Sequence, residues 1–144
     1  MKTYARIFRA VLIVALACSV VFAGEAMAQA AKNRVVIQVS DADPAKWNLA
    51  LNNAQNVQSD LGAANVEIEI VAYGPGLGML RSGSAVATRV DEAMLSGTKV
   101  VACENTMRKE KVVKSQMLGG ISYVDAGVVE IMKKQQEGWA YIRP

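Results

Sequence analysis

The segment VVACENT, residues 100–106, ends an apolar run on a thiol, Cys103, with Asn105 and Thr106 close behind. The chain of 144 residues contains two cysteines and no histidine. That composition removes several chemistries. A Cys-His or Ser-His-Asp machine cannot be built from this chain alone. A structural zinc site needs several Cys or His ligands, and a dithiol oxidoreductase needs a second thiol within reach. What one activated thiolate can do without a base is accept a sulfur atom and pass it on, which takes a nucleophilic sulfur, a cradle of donors and a partner.

The surroundings of Cys103 bear on its activation. Val100, Val101 and Ala102 bring the chain through the core as a strand, and Cys103 emerges at the strand's end. Asn105 or Thr106 is expected to cap a short helix whose free N–H groups and positive dipole end lie near the sulfur. Arg108, Lys109, Lys111 and Lys114 add positive charge, which favours thiolate, while Glu104 opposes it unless its side chain points away. The competing reading is a small buried cysteine that packs like alanine. A second segment, AYGPGLGM (residues 72–79), carries Tyr73, Gly74, Pro75 and Gly76. It matches neither glycine-rich phosphate fingerprint and calls for no nucleotide cofactor; it reads as a glycine turn that shapes a pocket wall.

The elements that position these residues alternate between two periods. RVVIQVS (34–40) is a buried strand. In the following segment Asp43 is an N-cap, Pro44 takes the first helical position and Gly62 ends the helix. Trp47, Ala50, Leu51, Ala54, Val57 and Leu61 form its inner face. NVEIEIVAYG (65–74) is a strand in which Val66, Ile68 and Ile70 alternate with Glu67 and Glu69, the pattern of a half-covered strand. Residues 85–95 form a helix with Val86, Val90, Ala93 and Met94 inward and Gly97 closing it. Residues 98–103 are the third strand, 122–124 a short fourth, and 139–144 a terminal strand. Residues 127–137 are a helix buried through Val128, Ile131, Met132 and Gln135. About five strands alternating with helices predict one α/β domain over residues 31–144, with a mostly parallel sheet covered on both faces. Ligands gather beyond the carboxyl ends of such strands, where Cys103 and the glycine segment both fall.

The N-terminus sets the compartment. Lys2, Arg6 and Arg9 precede an apolar run over residues 10–23, followed by small residues that offer cleavage after Ala28 or Ala30. This is the pattern of a cleavable export signal over residues 1–30, with an apolar run too short to span a bilayer comfortably. Its removal takes Cys18 and leaves 13 of the 16 basic and 12 of the 13 acidic residues, a net charge of about +1. The exported chain then holds one cysteine, so no intramolecular disulfide forms, and no basic nucleic-acid footprint remains. An odd cysteine in an exported protein points to a reactive thiol, an intermolecular partner or an inert buried thiol.

The opening VVIQVSDADPAKWNLALNN, AYGPG after the second strand, C-x-N-T after the third and DAGVVEIMKKQQEGWAYIRP at the end resemble the DsrE/DsrF-like family, and its exported members most of all. The resemblance covers residues 34–144. It implies a three-layer α/β/α sandwich, assembly into homo-oligomers (trimers or hexamers), and sulfur relay through a cysteine persulfide between donor and acceptor proteins, at most a sulfurtransferase-like activity. Cys103 matches the family's sulfur-carrying cysteine. Asn105, Thr106, Tyr73, Gly74, Pro75 and Gly76 match the residues around it. The implied reading is a periplasmic sulfur carrier that needs no metal or cofactor. The alternative is a non-catalytic oligomeric module that binds a ligand or protein, with an unreactive pocket cysteine. Residues 115–124, SQMLGGISYV, are the expected oligomer surface, with Met117, Leu118, Ile121 and Val124 exposed as an apolar patch.

Overall fold

In the computed structural model the described residues are 33–144; the export signal read from residues 1–30 lies outside them. Five strands, β1 (Asn33–Val39), β2 (Val66–Ala72), β3 (Lys99–Cys103), β4 (Ser122–Val124) and β5 (Ala140–Ile142), form one sheet in the order β4-β3-β2-β1-β5. Every neighbouring pair is parallel. The helices are α1 (Pro44–Leu61), α2 (Ala87–Leu95), α3 (Glu104–Glu110) and α4 (Gly127–Gln136). The chain is therefore an α/β fold with a parallel five-stranded sheet between helical layers.

The order of the strands decides which face each helix covers. From β1 to β4 the chain advances strand by strand in one direction, and right-handed crossovers put those connections on one face. There α1 and α2, the 3-10 helix Gly74–Leu80 and the start of α3 bury the larger core, including Val35, Ile37, Leu51, Ile70, Leu77, Val90, Val100 and Met107. The last crossover runs back past three strands to the far edge of β1, so among the described helices α4 alone lies on the opposite face. Its core is small: Val36, Val71 and Val101 from the sheet, with Ile131 and Trp139.

Local sequence accounts for most boundaries. Asp43 accepts the N–H of Ala45 at 2.8 Å as N-cap of α1, Pro44 is its first residue, and Gly62 follows its end with φ +81°. Trp47, Ala50, Leu51 and Ala54 are buried, but Leu61 is exposed, since the last turn overruns the sheet. The segment after β2 is regular: Gly74–Leu80 forms a 3-10 helix that buries Gly76, Leu77, Met79 and Leu80.

Three expectations are corrected. Glu67 is exposed, but Glu69, at the middle of β2, is only 1% exposed, because α4 closes over it. The face of α4 is rotated: Gly127 and Ile131 are buried, while Val128, Met132 and Gln135 face out, because the sheet beneath presents a carboxylate and the helix turns Lys134 toward it. The apolar patch over residues 115–124 is folded down. Met117 and Ile121 are buried, Leu118 packs on the larger core, and Val124 is half-buried. The N–H of Leu118 bonds the carbonyl of Leu80 at 2.9 Å, which ties the segment to the 3-10 helix.

Candidate functional site

Cys103 is the last residue of β3 and the N-cap of α3, with φ −80° and ψ 112°. The helix begins at Glu104, two residues earlier than an Asn105 cap requires and three earlier than a Thr106 cap, so both residues lie in its first turn. Next to β3, the chain leaves β4 at Val124, which pairs with Cys103, and enters α4 at Gly127. Adjacent strands thus send their helices to opposite faces, and the crevice between them is a topological switch point of the kind where open parallel sheets hold ligands. Cys103 sits in that crevice.

Two helix N-termini converge there. Gly127 comes so close that an added Cβ would lie 3.1 Å from Tyr73 Cβ, 3.2 Å from Val71 Cγ1 and 3.3 Å from Cys103 Cβ. The N–H of Asn105 bonds the carbonyl of Asp125 at 2.9 Å, which locks the start of α3 to the end of β4. The thiol itself lies 3.8 Å from that same carbonyl. Thr106 is buried, and its hydroxyl oxygen accepts the N–H of Gly74 at 2.9 Å, joining the loop after β2 to the site.

Burial pushes the Cys103 thiol up, but hydrogen bonds outweigh it: the Thr106 side chain and the N–H groups of Gly127, Thr106 and Asn105 hold it below its ordinary value. The cause differs from the expected basic neighbours. Arg108 is bound to Asn105 Oδ1, Lys109 and Lys111 are exposed, and Lys114 pairs with Glu104 at 2.9 Å. That pair also neutralises the carboxylate next to the sulfur. Fixed donors stabilise thiolate as cations do, and ions in solution screen them less.

Of the sequence-derived residues, Cys103, Asn105, Thr106, Tyr73 and Gly74 come together. Pro75 is exposed, and Gly76 does another job: its Cβ would meet Val39 O at 2.3 Å, so it fits the loop against the end of β1. Gly127 and Asp125 were missed. The signal for them was DAG, two small residues and a turn former leading from β4 into a helix. Among the described residues no group of three Cys, Asp or Glu side chains could hold a metal ion, and no helix is long and apolar enough to cross a membrane.

Comparison with known proteins agrees with this architecture. The DsrE/DsrF-like family matches residues 33–144. A solved protein of unknown function from Methanobacterium thermoautotrophicum, MTH1491, is similar at 38% identity and a TM-score of 0.74, over 78% of this chain and 99% of that one. A protein of unknown function from Bacteroides thetaiotaomicron, BT1422, shares the fold at 18% identity and TM-score 0.66, over 81% of this chain and 99% of that one. The ychN protein of E. coli shares it at 12% identity and TM-score 0.63, over 78% of this chain and 99% of that one. No curated protein matches the sequence. The chain belongs to the DsrE/DsrF-like family.

Proposed function

We propose that this protein is an exported, periplasmic sulfur carrier that holds a persulfide on Cys103. The observation that carries the reading is a sulfur at a strand end, where α3 begins and Gly127 at the start of α4 packs against it, with its thiol held below the ordinary value, in a member of a family of sulfur-relay type. In loading, the Cys103 thiolate attacks the terminal sulfur of a donor persulfide, R–S–SH. A bond forms between Sγ and that sulfur, the donor S–S bond breaks, and R–S⁻ leaves with the electron pair. The proton stays on the transferred sulfur, and no net oxidation occurs. Delivery is the same exchange with an acceptor thiolate.

The export reading rests on the basic N-terminus, the apolar run and the A-x-A sites, and secretion with loss of the first 28 or 30 residues tests it. The assembly reading rests on the resemblance and on the outer face of α4, where Val128, Val129 and Met132 are exposed.

Intact mass after incubation with a persulfide donor tests the carrier. One added sulfur atom, located at Cys103 and lost on reduction, is expected. Equal, negligible uptake by the wild type and Cys103→Ser, under conditions that load a known carrier, sinks the idea. One observation favours the alternative, a non-catalytic binding module: Cys103 is only 5% exposed. That reading predicts a thiol inert to small alkylating reagents across the neutral range.

A further inference from the structure

Helix α4 brings Gly127 to the sulfur, and very little apolar contact holds it there. On its sheet side it presents Gly127, Ile131 and Lys134, spaced i, i+4 and i+7. Ile131 is its only large buried apolar residue, and Val128 and Met132 point out. Ten residues are too few for a helix to stand without tertiary anchoring.

The other anchor is ionic. Glu69, at the middle of β2, is 1% exposed beneath the helix. Lys134 Nζ lies 3.3 Å from Glu69 Oε2, and Lys99 Nζ lies 3.0 Å from the same oxygen. Neither contact is aligned as a hydrogen bond, so both act as charge pairs. Lys134 also approaches Glu130 at 3.7 Å and sits over the Trp139 ring at 4.3 Å. Burial first, and then contact with the Glu69 carboxyl, push the Glu130 carboxyl above its ordinary value.

A carboxylate this deep costs desolvation that its partners offset only with good geometry. A β-branched apolar residue would suit the strand and the burial equally well. What the charge adds is direction. An apolar contact tolerates rotation of the helix, whereas a point charge under Lys134 fixes which side faces down. Two turns away, about 10 Å along the axis, the same rotation sets where the first N–H of α4 points.

We propose that Glu69 is a positioning residue for Cys103: through Lys134 it fixes the rotation of α4, and so holds the N–H of Gly127 on the sulfur. The inference rests on Cys103 working as the carrier thiolate, and it has a readout of its own.

The test is the pH profile of iodoacetamide alkylation of the purified protein, followed at Cys103 by peptide mass. Glu69→Gln keeps the shape and removes the charge; it should shift the profile to higher pH and slow alkylation at pH 7 at least about threefold. Lys134→Met should shift it the same way, and Glu69→Asp should recover part of the loss. Leu51→Ala, in the core on the other face, should lower the melting temperature and leave the profile in place. Profiles of folded Glu69→Gln and Lys134→Met that coincide with wild type overturn the proposal. Should Glu69→Gln fail to fold, Lys134→Met decides alone, because its side chain lies nearer the surface. A wild type that takes up no sulfur, yet whose profile moves with Glu69→Gln, keeps this inference and removes the carrier reading. Uptake of sulfur with an unmoved profile does the reverse.

Discussion

Thr106 joins two segments of the site through one hydroxyl group: its oxygen accepts the N–H of Gly74 at 2.9 Å, and its proton is left to donate to Cys103. The bond from Gly74 takes one lone pair of the hydroxyl and narrows its rotation, which leaves the proton free to point at the sulfur. The loop after β2 thereby restrains a rotatable donor beside the thiolate.

Thr106→Val keeps the shape, removes the donor and leaves the half-buried Gly74 N–H without this partner. A hydrogen bond to a charged group contributes about 1.5–3 kcal/mol, and one unit of pKa corresponds to about 1.4 kcal/mol. The thiol midpoint should therefore rise by about one unit or more, read from thiolate absorbance against pH. Thr106→Ser should stay near wild type. Equal midpoints in Thr106→Val and wild type would show that the hydroxyl does not reach the sulfur.

Gly127 and Gly76 separate the needs of the site from those of the fold. At Gly127 a Cβ would meet three side-chain atoms at 3.1–3.3 Å, contacts that a small shift of α4 relieves. Gly127→Ala should cost about 1 kcal/mol, at the low end for overpacking, and raise the thiol midpoint as the N–H moves away. At Gly76 the Cβ would lie 2.3 Å from a carbonyl oxygen and 2.6 Å from its carbon, both backbone. Gly76→Ala should cost about 3 kcal/mol or more. Urea unfolding of the two variants in parallel measures both; a larger loss at Gly127 would contradict this division.

The sequence made the order and boundaries of the elements legible because their signals are local. Asp43-Pro44 and Gly62 bracket α1, and Cys103 stands at the end of an uninterrupted apolar strand. What it did not disclose depends on which strands become neighbours. The alternation Val66-Glu67-Ile68-Glu69-Ile70 reads as one wet face, and only the return crossover to β5 lays α4 over Glu69 while leaving Glu67 outside. The same crossover brings Gly127 to Cys103, 24 positions earlier in the chain. The apolar residues of α4 pointed to the wrong face because a buried charge, not an apolar stripe, sets its rotation.

The thiol also makes stability depend on pH, with a definite sign. Burial opposes ionisation of Cys103, but the hydrogen bonds from Thr106, Gly127 and Asn105 prevail, so the folded thiol titrates below its ordinary 9.0. Between the folded midpoint and 9.0 the unfolded chain binds more protons than the folded one, and stability rises with pH. The contribution is complete above 9.0 and is lost as pH falls through the folded midpoint. The melting temperature of wild type relative to Cys103→Ser should therefore increase as pH rises toward 9.0 and level off above it. A constant difference across that range would mean that the folded thiol titrates like the unfolded one.

Assembly, if it follows the family resemblance, should use α4 and not residues 115–124. Val128 is 61% exposed and Met132 50%, one turn apart on the outer face of the helix, while Leu118 packs against the larger core. A charge at Val128 meets solvent in the monomer and should cost within about 0.5 kcal/mol, yet it would sit in an apolar interface between copies. A charge at Leu118 would be pressed against the core and should cost about 1–3 kcal/mol by burying an unpaired polar group. Light scattering and thermal melting together separate the two. Val128→Glu should lower the mass to that of a monomer and leave the monomer folded, whereas Leu118→Glu should lower the melting temperature first. A wild type that is monomeric at tens of micromolar, or a Val128→Glu variant with unchanged mass, removes α4 as the interface.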